Sequence, residues 1–388
     1  MSARERWMRE LRAATPHVDV REARQRQQSG AILLDVREAP EWAEGSPVDA
    51  LKLSRSQLEF QVEAALPRTE DEVLLLCAAG ARALLCAETL NRLGYRHVTV
   101  VEGGFRAWQA AGLPVAVPET LDPVWQRRYA RQMVLPEIGQ AGQLRLRQSQ
   151  VLMVGAGGLG SPAALYLAAA GVGSLRVVDD DQVDLSNLQR QVLHTTARVG
   201  RSKVQSAVET LSALNPDIRI EAVHERVHSG NVDGLLAGCG LIVDGSDNLP
   251  TRYLLSDAAV KHSLPLVYGA VERFSGQVSV FHPGSARGTA PCYRCLFPEP
   301  PAPDQAPNCA EVGVLGVVPG IIGLLQANEA LKLLLGIGQP LIGRLLLFDA
   351  LAMDFRELKL PADRECAICA PGRPFPGYVD YAQFCAGG

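Results

Sequence analysis

Three groups of residues have types and spacing that can do chemistry. The first is Cys77-Ala-Ala-Gly-Ala-Arg82, where a thiol closes an apolar run, a small-residue loop follows and a helical pattern begins. Amides of such a loop, the helix N-terminus and Arg82 would stabilise a thiolate, or the equally anionic persulfide. The competing reading is an inert cysteine at a strand end. The second is Val151-Leu-Met-Val-Gly-Ala-Gly-Gly-Leu-Gly160, an apolar strand running through Gly155, Gly157, Gly158 and Gly160 into a small-residue helix. Amides at such a turn carry partial positive charge and suit a phosphate. The third is two C-x-x-C pairs, Cys292/Cys295 and Cys366/Cys369, with the spacing of zinc ligands.

The surroundings of the glycine turn narrow its ligand. The next apolar run, Ser174–Val178, ends in Asp179-Asp-Asp181, and an acid about 20 residues beyond the glycines can hold a ribose hydroxyl. That suits NAD and ATP equally. Arg190 and Lys203 then add cations, which a triphosphate reacting at its α-phosphate needs and a hydride transfer does not. Taken singly, either is an ordinary surface charge. Leu241-Ile-Val-Asp-Gly-Ser-Asp-Asn248 is a strand ending in Asp244 and Asp247, where Mg2+ and substrate would meet at a sheet edge. Capping of the next helix is the alternative for Asp247. About 70 residues separate the cysteine pairs, so Zn2+ there would staple distant segments. Four thiolates leave no open position, which makes the site structural. Reactive dithiols are the alternative.

The elements that must hold these groups alternate between apolar strands and helical patterns, hence parallel α/β units. In the first part, strands at Ala31–Asp35, Val73–Cys77 and Val98–Val101 flank a helix over Ala81–Leu93. Leu113–Pro123 holds three prolines and reads as a linker. The Arg-rich start (Arg4, Arg6, Arg9, Arg12) is interrupted by Glu5 and Glu10 and reads as a solvated amphipathic helix, not a transit peptide. No apolar run reaches membrane-spanning length, so no membrane is expected. A net charge of −4 over 388 residues gives no case for nucleic acid. Nine cysteines in a chain this large point to thiol and metal chemistry in the cytoplasm rather than a disulfide framework.

Asp35-Val-Arg37, Glu41-Trp42, the Cys77–Arg82 loop and Glu102-Gly-Gly-Phe-Arg-Ala-Trp108 resemble a rhodanese domain. The resemblance implies that Cys77 carries sulfane sulfur as a persulfide. The similar phosphatase loop is one residue longer, and the shorter loop here favours sulfur. Gly45-Ser-Pro-Val-Asp-Ala50 departs from the usual pattern, which carries a His and a second Gly.

The second part resembles the MoeB/ThiF family of ubiquitin-activating-type adenylating enzymes. The matching residues are Arg128-Tyr-Ala-Arg-Gln132, Gly155–Gly160, Ser186-Asn-Leu-Gln-Arg-Gln191, Lys203, Ser246-Asp-Asn248, Pro291-Cys-Tyr-Arg-Cys295, Cys366 and Cys369. The resemblance implies a Rossmann-like, doubly wound sheet, a homodimer, MgATP and structural zinc. It implies as substrate the C-terminal glycine carboxylate of a small MoaD- or ThiS-like protein ending in Gly-Gly. Carried over residue by residue, the glycine turn takes the nucleotide, Asp179 the ribose, and Asn187, Arg190, Gln191 and Lys203 the phosphates. Asp247 places Mg2+, and Arg131 reaches into the partner's site. A carboxylate is already a nucleophile at neutral pH, so the task is to bring two anions together and neutralise the charge that builds up.

The expected organisation is an N-terminal helix over 1–14, a rhodanese-like α/β domain over 15–116, a linker over 117–123, an adenylating domain over 124–375 and a tail over 376–388. Cys309, in Asn308-Cys-Ala-Glu-Val-Gly-Val-Leu-Gly316, matches the place where sulfur-transferring members carry a second reactive cysteine, and is read as a relay. Tyr378–Cys385 resembles the segment leading to a rhodanese domain in fused relatives, whose domain order is reversed here. The function expected is adenylation of the carrier followed by sulfur delivery from Cys77, itself loaded by a persulfide donor such as a cysteine desulfurase. The rivals are adenylation beside a rhodanese-like docking module, and an NAD-dependent oxidoreductase.

Overall fold

The structure, a computed structural model, describes residues 2–117, 122–285, 288–300 and 313–379. Cys309 and the segment 380–388 lie outside the described residues. The chain divides into two compact units, Met1–Thr120 and Leu121–Gly388.

The first unit is built on β1 (His17–Val18), β2 (Ile32–Asp35), β4 (Leu51–Lys52), β5 (Glu72–Leu76) and β6 (His97–Val101), ordered β1-β6-β5-β2-β4. All its ladders are parallel. Leu33, Leu34 and Val73–Leu76 are continuous apolar runs with no exposed face, because helices cover both sides of a parallel sheet. Leu58, Val62, Leu84 and Leu90 pack on one face, and Phe105 and Trp108 on the other. A separate pairing joins β3 (Ser46–Pro47) to β7 (Val115–Ala116). Trp108 Nε1 donates to the Pro114 carbonyl at 3.0 Å. Leu113–Ala116 therefore belongs to the unit rather than to a linker, and Pro123 already opens the helix Pro123–Arg128, capped by Asp122. The helix Ala3–Ala14 has a Ser2/Glu5 capping box and is not merely solvated: Leu11 is buried and Met8 packs on the core.

The second unit holds β8 (Gln150–Val154), β9 (Ser174–Val178), β10 (Arg219–Val223), β11 (Leu241–Asp244), β12 (Leu266–Glu272), β13 (Ser275–Phe281), β14 (Arg344–Asp349) and β15 (Asp354–Lys359). The order is β10-β9-β8-β11-β12-β13-β14-β15. The first five strands in that order are parallel and the last three antiparallel. From β8 the chain crosses to β9 on one side, and β11 returns on the other. The carboxyl ends of β8 and β11 thus flank a switch point, where α/β sheets bind ligands.

The helix Val317–Leu335 is long and apolar enough to cross a membrane by length and composition, which corrects the expectation that no run is. It packs on the helix Gly160–Ala170, β12 and β13. Gln326 and Glu329 are buried on it: Gln326 Nε2 donates to the Asp244 carbonyl at 2.6 Å, and Glu329 accepts the Leu341 amide at 2.8 Å. Buried polar groups with protein partners mark a core helix rather than a lipid-facing one.

Candidate functional site

The glycine turn follows β8. Gly155 takes φ +93°, and a Cβ there would lie 2.5 Å from the Gly245 carbonyl, so β11's loop is able to press against it only because the residue is glycine. Gly160 opens the helix Gly160–Ala170, and a Cβ there would lie 1.9 Å from the Gly155 carbonyl. Gly160 makes room for the turn without facing the cleft. A cavity of about 380 Å³ opens at the switch point, lined by Gly155, Gly157, Gly158, Asp179, Arg190, Gln191, Lys203 and Asp247 among others.

The peptides on either side of Ala156 are both pinned. Its amide donates to Asp179 Oδ2 at 2.8 Å, and its carbonyl meets His194 Nε2 at 2.9 Å. Asp179 Oδ1 accepts the Asp181 amide at 2.9 Å. Burial raises the Asp179 pKa, against the pull of Lys203 and the two amides. Asp179 therefore braces the turn, whereas the exposed Asp181 extends to Lys203, with Nζ–Oδ2 2.7 Å. Lys203 opens the helix Lys203–Leu214 and its side chain is 7% exposed, so this ammonium is buried against one carboxylate at the cleft wall.

Gln191 lines the cleft, and its Oε1 is buried with no hydrogen-bond partner among the described residues. Arg190 donates to the Ser186 carbonyl at 3.2 Å. Asn187 is not among the lining residues and closes a short capping box with Asp184. Asn248, not Asp247, caps the helix Leu249–His262, its side chain accepting the Thr251 amide at 3.0 Å. Asp247 stands exposed on the cleft wall, free of the capping alternative. Sequence reasoning missed Arg252, which lines the cleft, donates to the Ser246 carbonyl at 3.1 Å and reaches to 3.9 Å from buried Asp244. Its one available signal was a place one helical turn after the cap. Arg131 lies on the exposed helix Ala130–Met133 and does not line the cleft.

The four paired cysteines converge, with all sulfurs within 4.8 Å of one another. Cys292–Cys295, Cys292–Cys366 and Cys295–Cys369 are 3.9, 3.6 and 3.5 Å apart. Tetrahedral zinc with Zn–S bonds of about 2.3 Å needs sulfurs about 3.8 Å apart. The donor set fits Zn2+. Between the first two cysteines, Arg294 makes two bonds of 2.8 Å to Asp257, both partners buried.

In the first unit Cys77 directly follows β5 and is 1% exposed. Its sulfur accepts the amides of Gly80 at 3.1 Å and Ala83 at 3.4 Å. Gly104 lets the neighbouring helix meet the loop: a Cβ there would lie 2.1 Å from the Cys77 carbonyl, which accepts the Phe105 amide at 2.7 Å. Arg82 lies beside the loop, but both its terminal nitrogens bind Glu41, at 2.6 and 2.7 Å. The guanidinium holds Glu41's carboxyl down at about 2, so the pair stays ionised at neutral pH. Asp35 and Arg37 form a second, fully buried pair at 2.7 Å, joined by Ser46 Oγ and the Gly45 carbonyl. Arg37 also stacks 3.7 Å over Phe105.

Residues 129–368 match the ThiF family and residues 19–111 the rhodanese-like domain. The chain is 52% identical over 259 residues to a sulfur carrier protein adenylyltransferase of Thermus thermophilus, covering 66% of this chain and 96% of that one. It is 48% identical over 268 residues to a SAMP-activating enzyme E1 of Haloferax volcanii, covering 69% and 97%. It is 50% identical over 259 residues to an adenylyltransferase and sulfurtransferase of Anopheles gambiae, covering 66% of this chain and 58% of that one. Among solved structures, E. coli MccB shares the fold, with a TM-score of 0.56 at 17% identity over 71% of this chain and 80% of that one.

Proposed function

This chain belongs to the ThiF family, with a rhodanese-like domain in front of the matched span, and from that premise we propose that it adenylates a protein carboxylate and then delivers sulfur to it. The substrate is the C-terminal glycine of a small ubiquitin-like sulfur-carrier protein of MoaD or ThiS type. The products of the first step are the acyl-adenylate and pyrophosphate. The observation that carries the reading is a phosphate-binding turn faced by Lys203 and Arg190 at a parallel-sheet switch point.

The residues divide the work. Amides of Gly157 and Gly158 face the phosphates, and Gly155 and Gly160 permit the turn. Lys203 and Arg190 offset the charge that grows at the α-phosphate as the carboxylate attacks, and Gln191, whose amide nitrogen lies toward Gly157, lines the phosphate end of the cleft. Asn187 orders the segment that carries Arg190. Asp179 lines the cleft and takes the ribose, since its carboxylate keeps acceptor capacity beside the two amides it already holds. Asp247 is exposed, acceptor-only and uncapped, and would hold Mg2+, which when bound shields the phosphate oxygens. Zn2+ at Cys292, Cys295, Cys366 and Cys369 is structural.

The second step rests on Cys77, whose cradle of amides suits a persulfide anion. The persulfide attacks the acyl-adenylate, AMP leaves, and reduction of the resulting disulfide by a thiol releases the thiocarboxylate. Cys309 is the candidate thiol, and a cysteine desulfurase the candidate donor of sulfur to Cys77. We further propose a cytoplasmic homodimer in which Arg131 reaches the partner's cleft, since Arg131 is followed by the exposed apolar residues Val134 and Leu135.

ATP–pyrophosphate exchange dependent on a Gly-Gly-ended carrier tests the first step, and exchange with no such protein removes the reading. Replacement of oxygen by sulfur in the carrier's mass, after persulfide loading, tests the second.

A further inference from the structure

The Cys77 loop is poor in charge. Its intervening side chains at Ala78, Ala79 and Ala81 are methyl groups with nothing to donate. Cys77 is 1% exposed, and its sulfur accepts the backbone amides of Gly80 and Ala83. The loop's one cation, Arg82, has both terminal nitrogens committed to Glu41. Glu41 is itself fixed, its Oε2 also accepting the Glu38 amide at 3.1 Å, so it does not swing away from Arg82 without breaking the cap of its own helix. The other arginine whose backbone abuts the loop, Arg106, meets it through its amide, 3.2 Å from the Ala78 carbonyl.

Two classes of donor can bring sulfane sulfur to a thiolate. Thiosulfate is a dianion with a tetrahedral sulfonate: the Cys77 thiolate attacks its outer sulfur, the new S–S bond forms, the old one breaks and sulfite departs with the electron pair. Three charged oxygens must then be met beside the sulfur. A hydropersulfide on a thiol is a narrow chain of two sulfurs: the thiolate takes the terminal sulfur with its proton, and the donor leaves as a thiolate. No outside oxidant or reductant enters either step. A loop with methyl side chains, an acid at its mouth and its only arginine already neutralised offers little to the first donor and no obstacle to the second.

We propose that the Glu41–Arg82 pair sets the donor specificity of the Cys77 site, admitting sulfur presented as a persulfide on another molecule's thiol and disfavouring free thiosulfate. The proposal rests on the reading of Cys77 as a sulfur carrier.

The test loads the full chain with sulfur from thiosulfate or from glutathione persulfide, reading Cys77 by intact mass and initial rate. The unaltered protein takes sulfur more readily from the persulfide. Glu41→Gln frees Arg82, and Ala79→Lys adds an unpaired cation at an exposed loop position. Each raises the thiosulfate-to-persulfide ratio of kcat/KM about ten-fold, through a lower KM for thiosulfate, the scale of one half-exposed charge contact. Equal loading of the unaltered protein from both donors overturns the proposal. So does an unchanged ratio in Glu41→Gln, or in Ala79→Lys should Glu41→Gln not fold. Loading from neither donor overturns the underlying reading of Cys77 as well.

Discussion

The Arg294 guanidinium and the Asp257 carboxylate join through two bonds of 2.8 Å, and this pair ties the cysteine knuckle to the helix whose first turn borders the nucleotide cleft. Asn248 caps that helix at the cleft, and Asp257 lies further along it.

Asp257→Ala removes both 2.8 Å bonds to the buried Arg294 guanidinium, and breaking a buried pair from one side costs about 3–5 kcal/mol. Calorimetric unfolding of the variant is expected to show a lower Tm than the parent. Replacing Cys295 or Cys366 with serine is expected to abolish bound zinc by metal analysis and to lower Tm in the same way. A fully stable, zinc-free protein would contradict the structural assignment.

Lys203 stands almost fully buried at the cleft wall, 2.7 Å from Asp181. Lys203→Ala is expected to cut carrier-dependent ATP–pyrophosphate exchange by roughly a hundred- to a thousand-fold, the scale of a lost donor at a developing charge. Exchange at the parental rate would remove the lysine from the phosphate site.

Gly104 packs on the sulfur loop. A methyl at this residue would lie 2.1 Å from the Cys77 carbonyl, on backbone that cannot yield cheaply, and φ is +59°. Gly104→Ala is expected to abolish persulfide loading of Cys77 while pyrophosphate exchange by the second unit continues. Loss of both activities together would mean that the substitution unfolds more than its own unit.

His194 lies in the core with Nε2 2.9 Å from the Ala156 carbonyl and Nδ1 2.9 Å from Ser206 Oγ. A carbonyl only accepts, so Nε2 carries a proton. Burial lowers its pKa below the ordinary 6.5. The unfolded chain then binds more protons than the folded one as pH falls below that value, and stability is lost from there downward. Between about pH 7.5 and about pH 5.5 the parent should lose more Tm than His194→Gln. His282, half-buried with its pKa lowered by desolvation, acts with the same sign, so the variant removes only part of the loss.

Much of the site could be read along the chain because its parts are local. Gly155–Gly160 is a single strand-turn-helix, and Gly155 and Gly160 are demanded by contacts within the turn or with the adjoining strand's loop. Two residues between cysteines place both sulfurs on one turn, whatever lies elsewhere. The DVR tripeptide, by contrast, gave no hint that Asp35 and Arg37 would be buried together beneath Gly45. The helix Val317–Leu335 has the length of a membrane span, and only its packing on β12 and β13 makes it a core element.

Residue type and short spacing were enough to settle that this chain carries a phosphate turn, a thiol loop and two thiol pairs, since each is a property of consecutive backbone. Which charge meets which was decided by folding alone. Asp179 and Asp181 both line the cleft, yet Asp179 accepts two backbone amides of the turn and its neighbour while Asp181 pairs with Lys203. Arg82 was expected to serve Cys77, but Glu41 arrives from 41 residues away and takes its charge. Coulomb pairing depends on distance in space, and chain order does not encode it.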